Sequence, residues 1–97
     1  MTLEQLKADF PDITIYNRGK YVQNLFSGKE CWLTAEGLSL YFYLQSVHLK
    51  YRFIIANKDP EETEFWHSKF IKARDVFKKA YPKEYTTLFT GVIHDEF

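Results

Sequence analysis

The sequence predicts an α+β fold: a short N-terminal helix, a small antiparallel sheet made of a hairpin and a candidate third strand, then a helical hairpin and a short C-terminal helix. Alternating residues and turn chemistry between positions 13 and 33 predict the sheet. A well-capped amphipathic run, DPEETEFWHSKFIKARDVFKKAY, stopped by Pro82, predicts one long helix. The stretch LSLYFYLQSVHLKYRFII, residues 38–55, predicts the other, because it holds no Gly, Pro, Asp or Glu. At 97 residues the chain has the length of a single domain, and nothing in residues 1–97 reads as a repeat, low-complexity segment or linker.

The N-terminal helix follows from Thr2 and Gln5, three residues apart, which have the form of a capping box. The helix then runs through TLEQLKADF and ends before Pro11. ITIYNRGKYVQNLF reads as the hairpin. Ile13 and Ile15 alternate with Thr14 and Tyr16, and Tyr21 and Gln23 alternate with Val22 and Asn24. Asn17-Arg18-Gly19 between them supplies the glycine of a short hairpin loop. Ser27-Gly28-Lys29 is a second turn signal, and Cys31-Trp32-Leu33 is the candidate third strand.

Residues 38–55 admit two readings. As strands, Leu38, Leu40, Phe42 and Leu44 alternate with Ser39, Tyr41 and Tyr43, but Gln45-Ser46 is poor chemistry for a tight turn. As a helix, Thr34 is an N-cap, Glu36 answers the dipole, and no breaker follows before Asn57. The helix is preferred. At about 100° per residue, Leu38, Phe42, Leu49 and Phe53 form a narrow apolar stripe. Leu40, Tyr43, Leu44, Val47, Tyr51 and Ile54 form a broader one nearly opposite. Gln45, His48 and Arg52 lie on one polar seam between the stripes, Ser46 and Lys50 on the other. A helix apolar on both faces needs cover on both.

The second long helix begins with Asp59 as N-cap, Pro60 at its first position and Glu61 and Glu62 in the first turn. Trp66, Phe70, Ala73, Phe77 and Ala80 are its core stripe, widened by Phe65 and Val76, and Pro82 stops it. PKEYTTLF reads as a closing helix ended by Gly91, with VIHDEF as a tail or added edge strand.

Thirteen basic residues balance thirteen acidic ones, against the basic excess of a protein that coats nucleic acid. The lone Cys31 offers no disulfide framework, and beside Trp32 and Leu33 it reads as a small buried hydrophobe. His48, His67 and His94 fall on separate elements, Glu64 and His67 form a pair without a second pair, and the scattered glycines fit no phosphate loop. No catalytic residue, cofactor or metal is therefore assigned. MTLEQLKADFPD lacks the pattern of a secretory signal, and polar residues interrupt residues 38–55, so a cytoplasmic protein without membrane attachment is expected.

The aromatic wealth of the chain, nine Phe, seven Tyr and two Trp, favours a small non-enzymatic protein that binds another protein or itself as a homodimer. The partner-binding residues expected on this reading are Tyr41, Tyr43, His48, Tyr51, Arg52 and Lys69. Lys69 stands out because it falls where the stripe of the second long helix expects an apolar residue. It reads as a snorkelling stem, the mate of a carboxylate on another element, or a charge open to a partner. The alternative is nucleic-acid binding through Lys72, Arg74, Lys78, Lys79 and Lys83, helped by Arg18 and Lys20 at the hairpin tip. The competing explanation of that basic run is compensation of the helix dipole. WLTAEGLSLYFYL has the cadence of a first helix in winged-helix proteins, but the order of elements departs from that family, and no residue is carried over from it.

Overall fold

A computed structural model describes residues 2–24, 27–57 and 60–89. Helix α1 (Leu3–Asp9) is followed by strands β1 (Lys20–Gln23) and β2 (Glu30–Leu33), then by helices α2 (Ala35–Asn57), α3 (Pro60–Ala80) and α4 (Pro82–Phe89). The α+β class, the capping box and the helical reading of residues 38–55 all hold. Asp59, Gly91, His94 and the tail from Val92 onward lie outside the described residues.

Thr2 and Gln5 close the reciprocal cap of α1, and the Phe10 amide ends the helix on the Leu6 carbonyl at 2.8 Å. Pro11 and Asp12 then occupy the centre of a turn closed by the Ile13 amide on the Phe10 carbonyl. This turn carries the chain from α1 onto the flank of α2.

The sheet departs from expectation. Its hairpin pairs β1 with β2, in the register Lys20 with Leu33, Tyr21 with Trp32, Val22 with Cys31 and Gln23 with Glu30. The candidate third strand is thus the second, and residues 13–16 are extended chain without a strand partner. Their alternation is satisfied by a helix. Ile13 is buried, Ile15 packs on the core, the Tyr16 amide donates to Ser39 Oγ at 2.9 Å, and the Tyr16 ring rests 5.1 Å from Phe42. The tip of the hairpin lies at the second turn signal, where Gly28 takes φ 74° and its amide donates to the Asn24 carbonyl. Gly19 serves a different need. A Cβ there would collide with the Leu33 carbonyl oxygen and come within 2.9 Å of the Trp32 ring.

Helices α2 and α3 pack as an antiparallel pair, with Tyr41 meeting Phe77, His48 meeting Phe70, and Tyr51 meeting both His67 and Phe70. Leu40, Leu44 and Val47 face Phe70, Ala73 and Phe77 in a common core, which α1 and α4 extend with Leu6, Phe10, Leu88 and Phe89. Helix α4 starts at Pro82 directly after α3 and packs on β2, so the hairpin is held by the C-terminal helix. Asn24, buried at the hairpin tip, donates from Nδ2 to the Thr87 carbonyl at 2.9 Å and fastens the same junction. The Cα extents are 36 × 32 × 19 Å.

Candidate functional site

The two apolar stripes of α2 have different fates. The broad one is core: Leu40, Tyr43, Leu44, Val47 and Ile54 are buried and Tyr51 is half-buried. The narrow one is covered only along its first half, where Leu38 is buried and Phe42 lies under Tyr16. Beyond it the cover ends, leaving Leu49 67% and Phe53 63% exposed. At the same end of the helix pair, Ile55 and Phe65 are 45% and 55% exposed.

Beside this exposed end lies a cleft of about 410 Å³ between the 12–16 segment, α2 and α3. Tyr16, Phe42, Tyr43 and Trp66 provide its rings, and Asp12, Thr14, Ser39, Ser46 and Lys50 its polar groups. The Ser46–Lys50 seam is therefore the one that meets the cleft.

Asp12 anchors the polar side of the cleft. Its Oδ1 accepts from Tyr43 Oη and its Oδ2 from Lys69 Nζ, each at 3.0 Å. Desolvation acts to raise the carboxyl's pKa, but the hydrogen bonds from Lys69 and Tyr43 outweigh it and leave Asp12 below its ordinary value. Burial pushes the Tyr43 hydroxyl strongly upward, and the Asp12 carboxylate adds to that. The Lys69 ammonium also lies 4.9 Å from the Trp66 ring and 5.1 Å from that of Phe65. Of the readings of Lys69, pairing with a carboxylate on another element is the one observed. Lys50 Nζ approaches the Trp66 ring at 5.8 Å and has no carboxylate partner among the described residues.

Of the residues expected to bind a partner, Tyr43 and His48 are buried, at 7% and 6% exposure, and of the two only Tyr43 reaches the cleft. Their burial has a plain cause, since α1 and α3 close over that side of α2: Tyr43 packs on Phe10 at 5.0 Å and His48 on Phe70 at 5.2 Å. Tyr41 is half-buried among Phe42, Phe77 and Phe89, with its hydroxyl pushed upward by burial against a hydrogen bond with Gln45. Tyr51 is half-buried, Arg52 exposed, and Lys69 half-buried in its ion pair. Periodicity marked Tyr43 and Tyr51 as apolar-face residues but could not tell cover by the chain itself from cover by a partner.

The residues of the nucleic-acid alternative do not converge on one face of α3. By helical angle, Arg74 and Lys78 lie on one flank, Lys72 and Lys79 on the back and Lys69 on the other flank. Several are engaged: Lys72 Nζ donates to the Asp9 carbonyl at 3.0 Å, Arg74 pairs with Asp75 at 3.2 Å, and Lys78 lies over Tyr85. Glu61 and Glu62 in the first turn and Lys78 and Lys79 in the last match the dipole. Lys83 belongs to α4. Arg18 and Lys20 are exposed but do not sit at the hairpin tip as expected, because the strand pairing moves the tip to Ser27-Gly28-Lys29. Lys20 opens β1, with its ammonium over Phe42.

Cys31 lies half-buried on β2, and burial, followed by the charge of Glu84, raises its thiol pKa, the opposite of nucleophilic activation. Among the described residues no group of His, Cys, Asp and Glu could hold a metal ion, and no helix is long and apolar enough to cross a membrane.

Sequence reasoning missed Asp12 and Ser39. Asp12 reads as a turn residue, and its one external signal was the misplaced charge at Lys69, which called for a carboxylate elsewhere. Comparison with protein-family models, curated proteins and solved structures found no match to this chain.

Proposed function

We propose that this chain is a small non-enzymatic protein that works by binding another protein, or a second copy of itself, through the uncovered end of the α2–α3 pair. The supporting observation is the exposure of Leu49 and Phe53, neighbours on one stripe of α2, with Ile55 and Phe65 also exposed at that end of the helix pair. Large apolar side chains exposed in this way are unfavourable in water and are relieved by an interface. The binding surface is thereby moved from the buried Tyr43 and His48 to the outward half of the narrow stripe, with Arg52 and the cleft at its margins. The dispersed and largely engaged lysines of α3 lend no comparable support to nucleic-acid binding.

The test is capture of partners from an extract of the source cell, with nuclease present, alongside sedimentation equilibrium of the purified protein. Wild-type protein is expected to retain a stoichiometric partner or to self-associate, and Leu49→Asp with Phe53→Asp to lose that property. Because both positions are exposed, each substitution should change stability by only about 0.5 kcal/mol, so the loss would not reflect unfolding. A protein that stays monomeric and captures nothing, or captures equally well with both substitutions, would refute the reading.

A further inference from the structure

The cleft beside the exposed helix end has a chemistry of its own. A cation would find its one carboxylate in the lining taken, since Lys69 already occupies Asp12. An anion finds the reverse. Asp12 is neutralised by Lys69, so the positive charge of Lys50 is uncompensated, and the hydroxyls of Thr14 and Ser46 have no hydrogen-bond partner among the described residues. Around these groups stand the rings of Tyr16, Phe42 and Trp66, in a volume large enough for more than a carboxylate alone.

We propose that the cleft receives an acidic, ring-bearing segment of a partner protein, its carboxylate on Lys50 and the Ser46 hydroxyl and its ring against Trp66 and Phe42. This rests on the protein-binding reading and specifies the partner's chemistry. Charge complementarity selects the acid, since of the two charged residues in the lining Asp12 is already paired with Lys69, which stands outside it, and Lys50 has no carboxylate partner among the described residues. The flat aromatic walls select the ring. The cleft adjoins the Leu49–Phe53 stripe along α2, so a segment bound here continues onto the exposed apolar face.

The test is two-dimensional NMR of isotope-labelled full-length protein titrated with N-acetyl-Glu-Phe-amide, with N-acetyl-Lys-Phe-amide and N-acetyl-Glu-Ala-amide as comparison probes. Saturable shifts are expected at the Trp66 indole and at the Ser46 and Lys50 amides, with the Trp32 indole unmoved. Lys50→Glu, at an exposed helix position, should weaken binding about tenfold, and both comparison probes should bind about tenfold more weakly than the acidic aromatic one. Ser46→Leu, which fills the cleft without touching charge, should abolish the shifts, and the dispersion of the remaining spectrum confirms that each variant is folded. Absence of saturation at about 5 mM probe, equal binding of the Lys-Phe probe, or indifference to Lys50→Glu would each overturn the proposal. A captured partner that ignores Lys50→Glu overturns it while leaving the protein-binding reading intact. Probe binding as expected, in a protein that captures nothing, upholds the cleft and removes the wider reading.

Discussion

Lys69 of α3 donates to Oδ2 of Asp12 at 3.0 Å, joining two residues 57 positions apart in the chain. The other carboxylate oxygen accepts from Tyr43 on α2, so one side chain in a turn ties the chain after α1 to both long helices. The lysine that breaks the apolar stripe of α3 thus has an internal mate, and the turn beginning at Pro11 is where that mate comes from.

The two halves of this arrangement should contribute unequally. The ion pair is partly exposed and screened, so Lys69→Met is expected to change stability by at most about 1 kcal/mol in either direction. Asp12→Ala also strips the acceptor from the part-buried Tyr43 hydroxyl, for an expected loss of about 1–3 kcal/mol. Urea denaturation of the two variants gives the order directly; a larger loss for Lys69→Met would refute it.

The same groups predict a pH dependence at both extremes. Asp12 is held below its ordinary value, so its native form binds a proton less readily than the unfolded chain does. Its contribution is full above about pH 4 and is lost as pH falls through the lowered native value. Tyr43 is shifted upward, so its contribution is full below about pH 10 and is lost as pH rises beyond it. The stability gap between wild type and Asp12→Asn should narrow under acid, and Tyr43→Phe should flatten the alkaline fall. Parallel pH profiles for these variants and wild type would contradict both shifts.

Gly19 is required by contact rather than by backbone conformation. A methyl group there meets the carbonyl oxygen of Leu33, a backbone atom that cannot rotate away. Gly19→Ala should destabilise by about 1–3 kcal/mol by forcing the chain off β2. Gly28→Ala meets no neighbour but strains a positive φ, at a cost of about 1 kcal/mol. Thermal unfolding of the two variants separates these causes, and a harmless Gly19→Ala would show that the approach relaxes.

Ser39 is buried on α2 and accepts the Tyr16 amide while donating to the Ala35 carbonyl. Ser39→Ala leaves that amide without its acceptor and should cost about 1–3 kcal/mol. Faster hydrogen exchange at the Tyr16 amide is the specific sign that the extended segment has lost its attachment; unchanged exchange would count against the role given to Ser39.

Much of the chain was legible because its signals are local. Thr2 with Gln5, Thr34 before α2, and Pro60 and Pro82 at the starts of α3 and α4 act within a turn or two of themselves, and the structure uses all of them. The breaker-free run between Thr34 and Asn57 made α2 readable against a strong alternating pattern, since nothing at Gln45-Ser46 could reverse the chain. The stripe at Phe70, Ala73 and Phe77 likewise came straight from period.

What the sequence by itself determined, then, was which segments are helices, where they start, and which positions are apolar. Tertiary structure decided what those positions meet. Ile13, Ile15 and Tyr16 carry the alternation of a strand, yet α2 satisfies it, because a period of two specifies a half-buried extended chain and not the element that buries it. Leu38 and Phe53 share one stripe, but only Leu38 is covered, because cover depends on how far the neighbouring segment reaches along the helix. The ion pair of Lys69 with Asp12 arises the same way: each residue signals its own charge, and only folding brings the two within hydrogen-bonding distance.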